Sequence, residues 1–258
     1  MQSIYVPALS PLHALHPLTK LAGAALFVVA AYALPWPATL LALLGALLLL
    51  ARLGGVLAPL LRRALLLLAP VCFSLLLIQG VLFPPARLTP IQLGPITLWR
   101  EGLMFALSIA LRLLTLTATL LLLVQTTHPA DLVTALTEIG LPRSVGYVLL
   151  VALQLVPDMS ARATAILEVQ QARGLETEGR LRRLRALAPL IGPLLVGSLV
   201  DVEERAMALE SRAFSAPGPK TTLRVLADSP LQRVGRWLLL ALAIALVVLR
   251  LTLLREIV

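Results

Sequence analysis

The chain has 258 residues, of which 59% are hydrophobic and only 14% charged, with a mean hydropathy of +0.93. A soluble fold built from these residues would lack the polar surface to enclose its core, so the composition predicts an integral membrane protein. The net charge of +9 and pI of 11.1 do not imply nucleic acid, because the basic residues flank apolar segments or fall between 126 and 236, as the positive-inside rule expects.

The approach 1–20 carries Pro7, Pro11 and Pro17 and closes on Lys20. It has no basic region leading directly into an apolar core, so no cleaved signal is expected and the first apolar segment should remain in the mature protein. Two short apolar runs, 21–34 and 36–50, meet at the Pro35-Trp36-Pro37 break. Each is short of the roughly 20 residues needed to cross a bilayer, so they read either as a hairpin of two short crossings or as one re-entrant element. Arg52, Arg62 and Arg63 surround a Gly54-Gly55 turn and should face the cytosol.

Residues 64–83 form a full-length span with a tolerated proline, Pro70. Cys72 lies in this run with no second cysteine anywhere, which removes disulfides and thiolate metal sites and leaves a packing role. The proline-rich stretch 84–95 reads as an outer loop, and 102–124 returns across the bilayer with Arg112 as its one charge. A bare arginine in hydrocarbon costs about 2.5–3.5 kcal/mol on insertion scales. Arg112 must therefore either snorkel to an interface or face the bundle and find an acidic or carbonyl acceptor.

His128-Pro129-Ala130-Asp131 opens a short amphipathic helix that Ile139-Gly140-Leu141-Pro142 closes. A long helix then starts near Ser144. Its first part is apolar, and beyond Pro157 the residues Met159, Ala163, Ile166 and Gln170 make one narrow face that ends at Gly174, a natural C-cap. Arg180, Arg182, Arg183 and Arg185 follow as a basic linker, suited either to anionic headgroups or to a protein partner. The stretch 186–200 is broken by Pro189, Gly192, Pro193 and Gly197 and is a poor crossing. After it a second amphipathic helix is expected, with Leu199, Val202, Ala206, Leu209 and Ala213 on its packed face, Asp201 and Arg205 on its wetter sides, and Pro217-Gly218-Pro219 as its stop. A last span covers 237–254.

These readings give an all-α polytopic membrane protein with about five crossings and two long cytosolic helices. Its segments are a membrane region 1–125, a cytosolic and interfacial region 126–229 and a final span in 230–258. Five crossings place the N-terminus inside, and 17 of the 22 Lys and Arg residues then fall on the cytosolic side.

Catalytic material is sparse. His13, His16 and His128 show no metal-ligand spacing and read as caps or interfacial residues. No phosphate-binding Gly-rich loop, nucleophile elbow or intramembrane acidic pair is present, so energy for active transport would have to come from another subunit. A self-contained channel or carrier, or a membrane scaffold for cytosolic proteins, stands as the rival reading.

Four motifs in order carry a resemblance: Ser10-Pro11-Leu12-His13 with His16-Pro17 and Lys20; Gly140-Leu141-Pro142-Arg143; Gln171-Ala172-Arg173-Gly174; and Ala208-Leu209-Glu210-Ser211-Arg212-Ala213-Phe214. Over about residues 10–225 the chain resembles the transmembrane T component of energy-coupling factor transporters. The resemblance implies a multi-pass subunit of the bacterial cytoplasmic membrane, joined to two cytosolic ABC-type ATPases and a small membrane S component that captures vitamins or transition-metal ions. It implies no cofactor on this chain, with ATP and Mg held by the ATPases. It also assigns ATPase coupling to Ala172, Arg173 and Gly174 at the first helix end and to Ser211, Arg212 and Ala213 at the second. Gly174 can take a left-handed cap freely, whereas Ala213 can do so only against its own Cβ.

Overall fold

The computed structural model describes residues 5, 6, 8, 10–34, 36–82, 89–93, 96–175, 188–214, 216, 218 and 226–255. Its helices are α1 Pro17–Ala33, α2 Pro37–Leu53, α3 Leu57–Leu77, α4 Arg100–Thr126, α5 Pro129–Glu138, α6 Arg143–Ala172, α7 Ala188–Ser211 and α8 Pro230–Arg255. Proline opens α1, α2, α5 and α8, where its missing N–H costs nothing and its fixed φ suits the first turn. The chain clusters into two units, Pro142–Val225 and Gln2–Leu141 with Leu226–Val258.

In the larger unit α4 is central. It packs on α1, α2 and α3, while α1 also lies along α8. The buried face of α4 runs through Gly102, Ala106, Ala110, Thr115, Ala118 and Thr119, small side chains at near four-residue steps that let neighbouring helices approach closely. Hydroxyls on this face are satisfied within the helix, Thr115 donating to Leu111 O at 2.8 Å and Thr119 to Thr115 O at 2.7 Å. Leu47, Ala51, Val56, Leu60 and Ala118 form one buried cluster, and Ala31, Leu40 and Leu111 another.

Among the described residues four helices, within Leu57–Gly80, Arg100–Thr126, Arg143–Ala172 and Pro230–Thr252, are long and apolar enough to cross a membrane. The protein is thus an all-α, polytopic membrane protein. The stretch Pro17–Ala33 and the stretch Pro37–Leu53 are apolar but shorter, as the sequence indicates. Most large apolar side chains on these helices are exposed within the chain, Leu66 at 71% and Leu238 at 65% among them, which is the surface a protein turns to lipid or to other subunits.

Two departures from the sequence reading lie at one end of α3 and α4. The expected outer loop, 84–95, and the residues after it hold a short antiparallel hairpin, Pro90–Leu93 paired with Ile96–Trp99; residues 84–88 and 94–95 of that loop lie outside the described residues. The end of α3 also widens into a π-helical turn, Ile78–Leu82. This turn packs on α4 at Gly102, where the backbones meet so closely that an added Cβ would run into the Gln79 carbonyl oxygen. A backbone atom cannot swing aside as a side chain can. Gly102→Ala should therefore lower stability by about 1–3 kcal/mol, read as a drop in the thermal midpoint of the purified protein. Gly45→Ala, at an exposed helical position with open space around it, should leave that midpoint unchanged or raised.

Candidate functional site

Within the unit Pro142–Val225, α6 and α7 pack on each other. Beyond Pro157 the half-buried residues of α6 are Met159, Ala163, Ile166, Leu167 and Gln170, which is the face read from the sequence with Leu167 added. The face expected for α7 is not the one observed. Ala188–Ser211 is a single helix that runs through Gly192, Pro193 and Gly197, and its covered side carries Leu194, Gly197, Ser198, Asp201, Arg205 and Leu209. Leu199, Val202, Ala206 and Ala213 are exposed. The physical reason is an ion pair: Arg162 Nη2 meets Asp201 Oδ2 at 2.7 Å, which turns that carboxylate toward α6.

Both helices end in the same hydrogen-bonded motif. At the end of α6, Leu175 N donates to Gln170 O at 3.0 Å and Gly174 N to Gln171 O at 2.9 Å. At the end of α7, Phe214 N donates to Leu209 O at 3.0 Å and Ala213 N to Glu210 O at 2.9 Å. These are the paired bonds of a Schellman cap, and each requires the residue after the cap to be left-handed. Gly174 meets this with φ 92°, and Ala213 meets it with φ 54° despite its Cβ. Ala213 is also the one non-glycine residue with positive φ among the described residues. A left-handed L-residue costs about 1–2 kcal/mol.

The consequence is that Arg173 and Arg212 occupy equivalent cap positions, each one residue before the left-handed turn. Both are exposed, and neither guanidinium has an ion pair or side-chain hydrogen bond among the described residues. Ala172 and Ser211 close the last helical turn, where Ser211 Oγ donates back to Ala208 O at 3.0 Å. A planar cation held at the negative end of a helix is electrostatically favoured there and is free to fork onto a carboxylate of another chain. The basic linker 180–185 lies outside the described residues, as do Pro217 and Pro219 of the expected stop.

In the larger unit Arg112 donates Nε to Ala31 O at 3.0 Å and places its Cζ 5.5 Å from the centroid of the Tyr32 ring. Ala31 is in the last turn of α1, where carbonyls have no partner within the helix. A cation there satisfies the acceptor and opposes the helix dipole.

The N-terminal motif forms a polar knot in which the cap role read from the sequence is met by His16, as it is by His128 at α5, while the knot itself was not anticipated. His16 caps α1 by accepting from Leu18 N at 3.3 Å, and His128 caps α5 by accepting from Ala130 N at 3.3 Å. The His-Pro pairs at 16–17 and 128–129 were the available signal. His13 Nε2 lies 3.0 Å from the Val6 carbonyl, which can only accept, so that nitrogen carries the proton and Nδ1 accepts from Ser10 Oγ at 2.7 Å. Lys20, ahead of the apolar stretch 21–34, donates to His13 O at 3.1 Å and to Thr126 O at 2.8 Å, tying the N-terminus to the end of α4. Burial pulls its ammonium down to about 8, with the Asp131 carboxylate opposing the shift. His16 N donates to Gln232 Oε1 at 2.8 Å, which brings in the first turns of α8. The three histidines line one polar cavity of about 130 Å³ with Tyr5, Lys20 and Asp131. Each histidine uses Nδ1 locally, and no group of three or more potential ligands is placed to hold a metal among the described residues.

The helices define an all-α, polytopic membrane protein, and two of them end in exposed arginines. Residues 8–223 match the CbiQ family, described as cobalt transport protein. The chain is 30% identical over 236 residues to the energy-coupling factor transporter transmembrane protein EcfT of Heliobacterium modesticaldum, covering 87% of this chain and 88% of that one. It is 25% identical over 258 residues to EcfT of Staphylococcus aureus, covering 95% of each. It is 30% identical over 234 residues to a putative ABC transporter ATP-binding protein of Bifidobacterium longum, covering 85% of this chain and 29% of that one. The chain belongs to the EcfT/CbiQ family of energy-coupling factor transporter transmembrane components. It is a multi-pass protein of the bacterial inner membrane and the non-catalytic coupling subunit of an importer of this class.

The two caps make a paired prediction. Ala213→Gly should stabilise the end of α7 by about 1 kcal/mol, and Gly174→Ala, which meets open space, should destabilise the end of α6 by a similar amount through backbone conformation alone. Hydrogen exchange at the amides of Phe214 and Leu175 reads both changes.

Proposed function

We propose that Arg173 and Arg212 are the docking points for two cytosolic ABC-type ATPases, with Ala172, Gly174, Ser211 and Ala213 keeping each helix end small enough for close approach. The observation that carries this reading is the matched pair of Schellman ends, each presenting an exposed arginine with no partner among the described residues. Support also comes from the Bifidobacterium relative, whose name is that of an ATP-binding protein and of which this chain covers 29%. ATP and Mg are held by the ATPases, and this chain contributes no catalytic group. Residues 126–229 serve as the coupling region between the membrane segments 1–125 and 230–258, with five crossings and Arg112 as a bundle-facing charge that holds the end of α1.

Hydrolysis on the ATPases displaces the two helix ends, and α6 and α7 pass that motion to a small membrane S component that captures the vitamin or transition-metal ion. The S component lies against α7 and the N-terminal hairpin. A continuous exposed stripe on α7, through Ile191, Leu195, Leu199 and Val202, supports this placement.

Replacing Arg173 or Arg212 by Ala should weaken ATPase association by roughly 2–5 kcal/mol, as expected for one partner of a buried hydrogen-bonded charge pair. Lysine should not restore it, because it lacks the planar fork. Copurification of the ATPases with the membrane subunits measures the loss, and an unchanged yield with unchanged uptake in the double variant sinks the assignment. Cysteines placed singly at Val196 or Leu199, with Cys72 replaced by Ser, should cross-link to the S component; labelling of those positions by lipid-soluble reagents alone would count against the placement.

A further inference from the structure

The arginines at the helix ends are positioned by something, and the packed seam between α6 and α7 is too sparse to do it by apolar burial. Beyond Pro157 every described residue of α6 is half-buried or exposed, and within 191–211 the same holds for α7. A seam of that kind leaves the crossing point weakly fixed, since no interlocked core resists sliding of one helix along the other. An ion pair crosses it, Arg162 Nη2 to Asp201 Oδ2 at 2.7 Å. The same guanidinium rests over Gly197, one turn before Asp201, where an added Cβ would come 3.6 Å from Arg162 Nη1. A larger side chain at 197 would compete with the guanidinium for this seat.

The place of the pair along each helix is the third observation. Arg173 follows Arg162 by eleven residues, and Arg212 follows Asp201 by eleven. At 1.5 Å per residue each arm is about 16 Å long. The arms run in opposite senses, because Tyr147 near the start of α6 packs against Phe214 just past the end of α7, with ring centroids 5.2 Å apart. One ion pair is therefore equidistant from two helix ends that point away from each other.

We propose that Arg162 and Asp201 are positioning residues that form the pivot of the coupling unit: their pair fixes the point where α6 and α7 cross, so that the two docking arginines sit at the ends of equal arms. The proposal rests on the reading of Arg173 and Arg212 as docking points. The pair is part-exposed, with side-chain accessibilities of 43% and 21%, and an isolated pair of that kind adds little to stability. Its value is in register: an off-centre crossing would give the two ends unequal displacements for the same ATPase movement.

The test uses the whole transporter reconstituted in lipid vesicles, with Arg162→Asp, Asp201→Arg, the two combined, and Gly197→Val as a variant that keeps both charges and blocks the seat. Copurification of both ATPases, the rate of ATP hydrolysis and the substrate taken up per ATP are measured for each. The single charge reversals and Gly197→Val should retain the ATPases and their hydrolysis while uptake per ATP falls roughly tenfold, within the range that mutations along coupled elements produce. The combined reversal restores the pair and should recover at least about half of the wild-type ratio, as a double-mutant cycle requires of residues acting together. Unchanged uptake per ATP in the single variants overturns the pivot, and so does a combined variant no better than either parent. Loss of ATPase copurification in the single variants also overturns it, since the pair would then serve assembly and not coupling. Arg173→Ala losing its ATPase while the Arg162 and Asp201 variants behave as wild type removes the pivot alone. Arg173→Ala keeping its ATPase removes the docking reading and with it the equal-arm pivot, even where the reversals uncouple and rescue.

Discussion

A helix leaves four N–H groups at its start and four carbonyls at its end without partners, and in an apolar chain water is seldom at hand to take them. The specific contacts of this protein are largely answers to that constraint. His16 and His128 supply acceptors to helix starts, Lys20 and Arg112 supply cations to the ends of α4 and α1, and the paired turns after α6 and α7 close the last carbonyls on the chain itself. Several of the chain's few polar side chains thus stand where backbone groups would otherwise go unmet.

The ends of α6 and α7 follow from the same constraint. A Schellman turn satisfies the terminal carbonyls without using a side chain, which leaves the arginine at the cap free to bind outside the chain. Had each arginine been needed to cap its own helix, docking another protein would have meant breaking that cap. Ala213 shows that the geometry is kept even where the residue resists it. The left-handed backbone at φ 54° is retained at a cost glycine would have avoided, with the hydrophobic pair Leu209 and Phe214 bracketing the turn.

Much of this was legible in the sequence because its signals are local. Apolar runs placed α3, α4 and α8 close to where they stand, while His128-Pro129, Gly140-Leu141-Pro142 and Gly174 marked the bounds of α5 and α6. The stripe on α6 was readable from its spacing, and Arg112 could be recognised as a charge that needed an acceptor. What escaped was long-range. Nothing near Asp201 announces that its partner is 39 positions upstream, so its helix face was assigned to solvent and the covered side of α7 was misplaced. Gly192, Pro193 and Gly197 look like breaks, yet Pro193 is accommodated inside a helix and Gly197 receives a guanidinium. The hairpin at 90–99 was hidden by the prolines around it.

The bond from His16 N to Gln232 Oε1 joins the first helix to the last across 216 positions of sequence. Until α8 has been synthesised, the start of α1 lacks that acceptor and the face that α8 covers. The start of α1 thus emerges early and is completed late, so that formation of the knot reports the folding of α8 against the bundle and not of α1 alone.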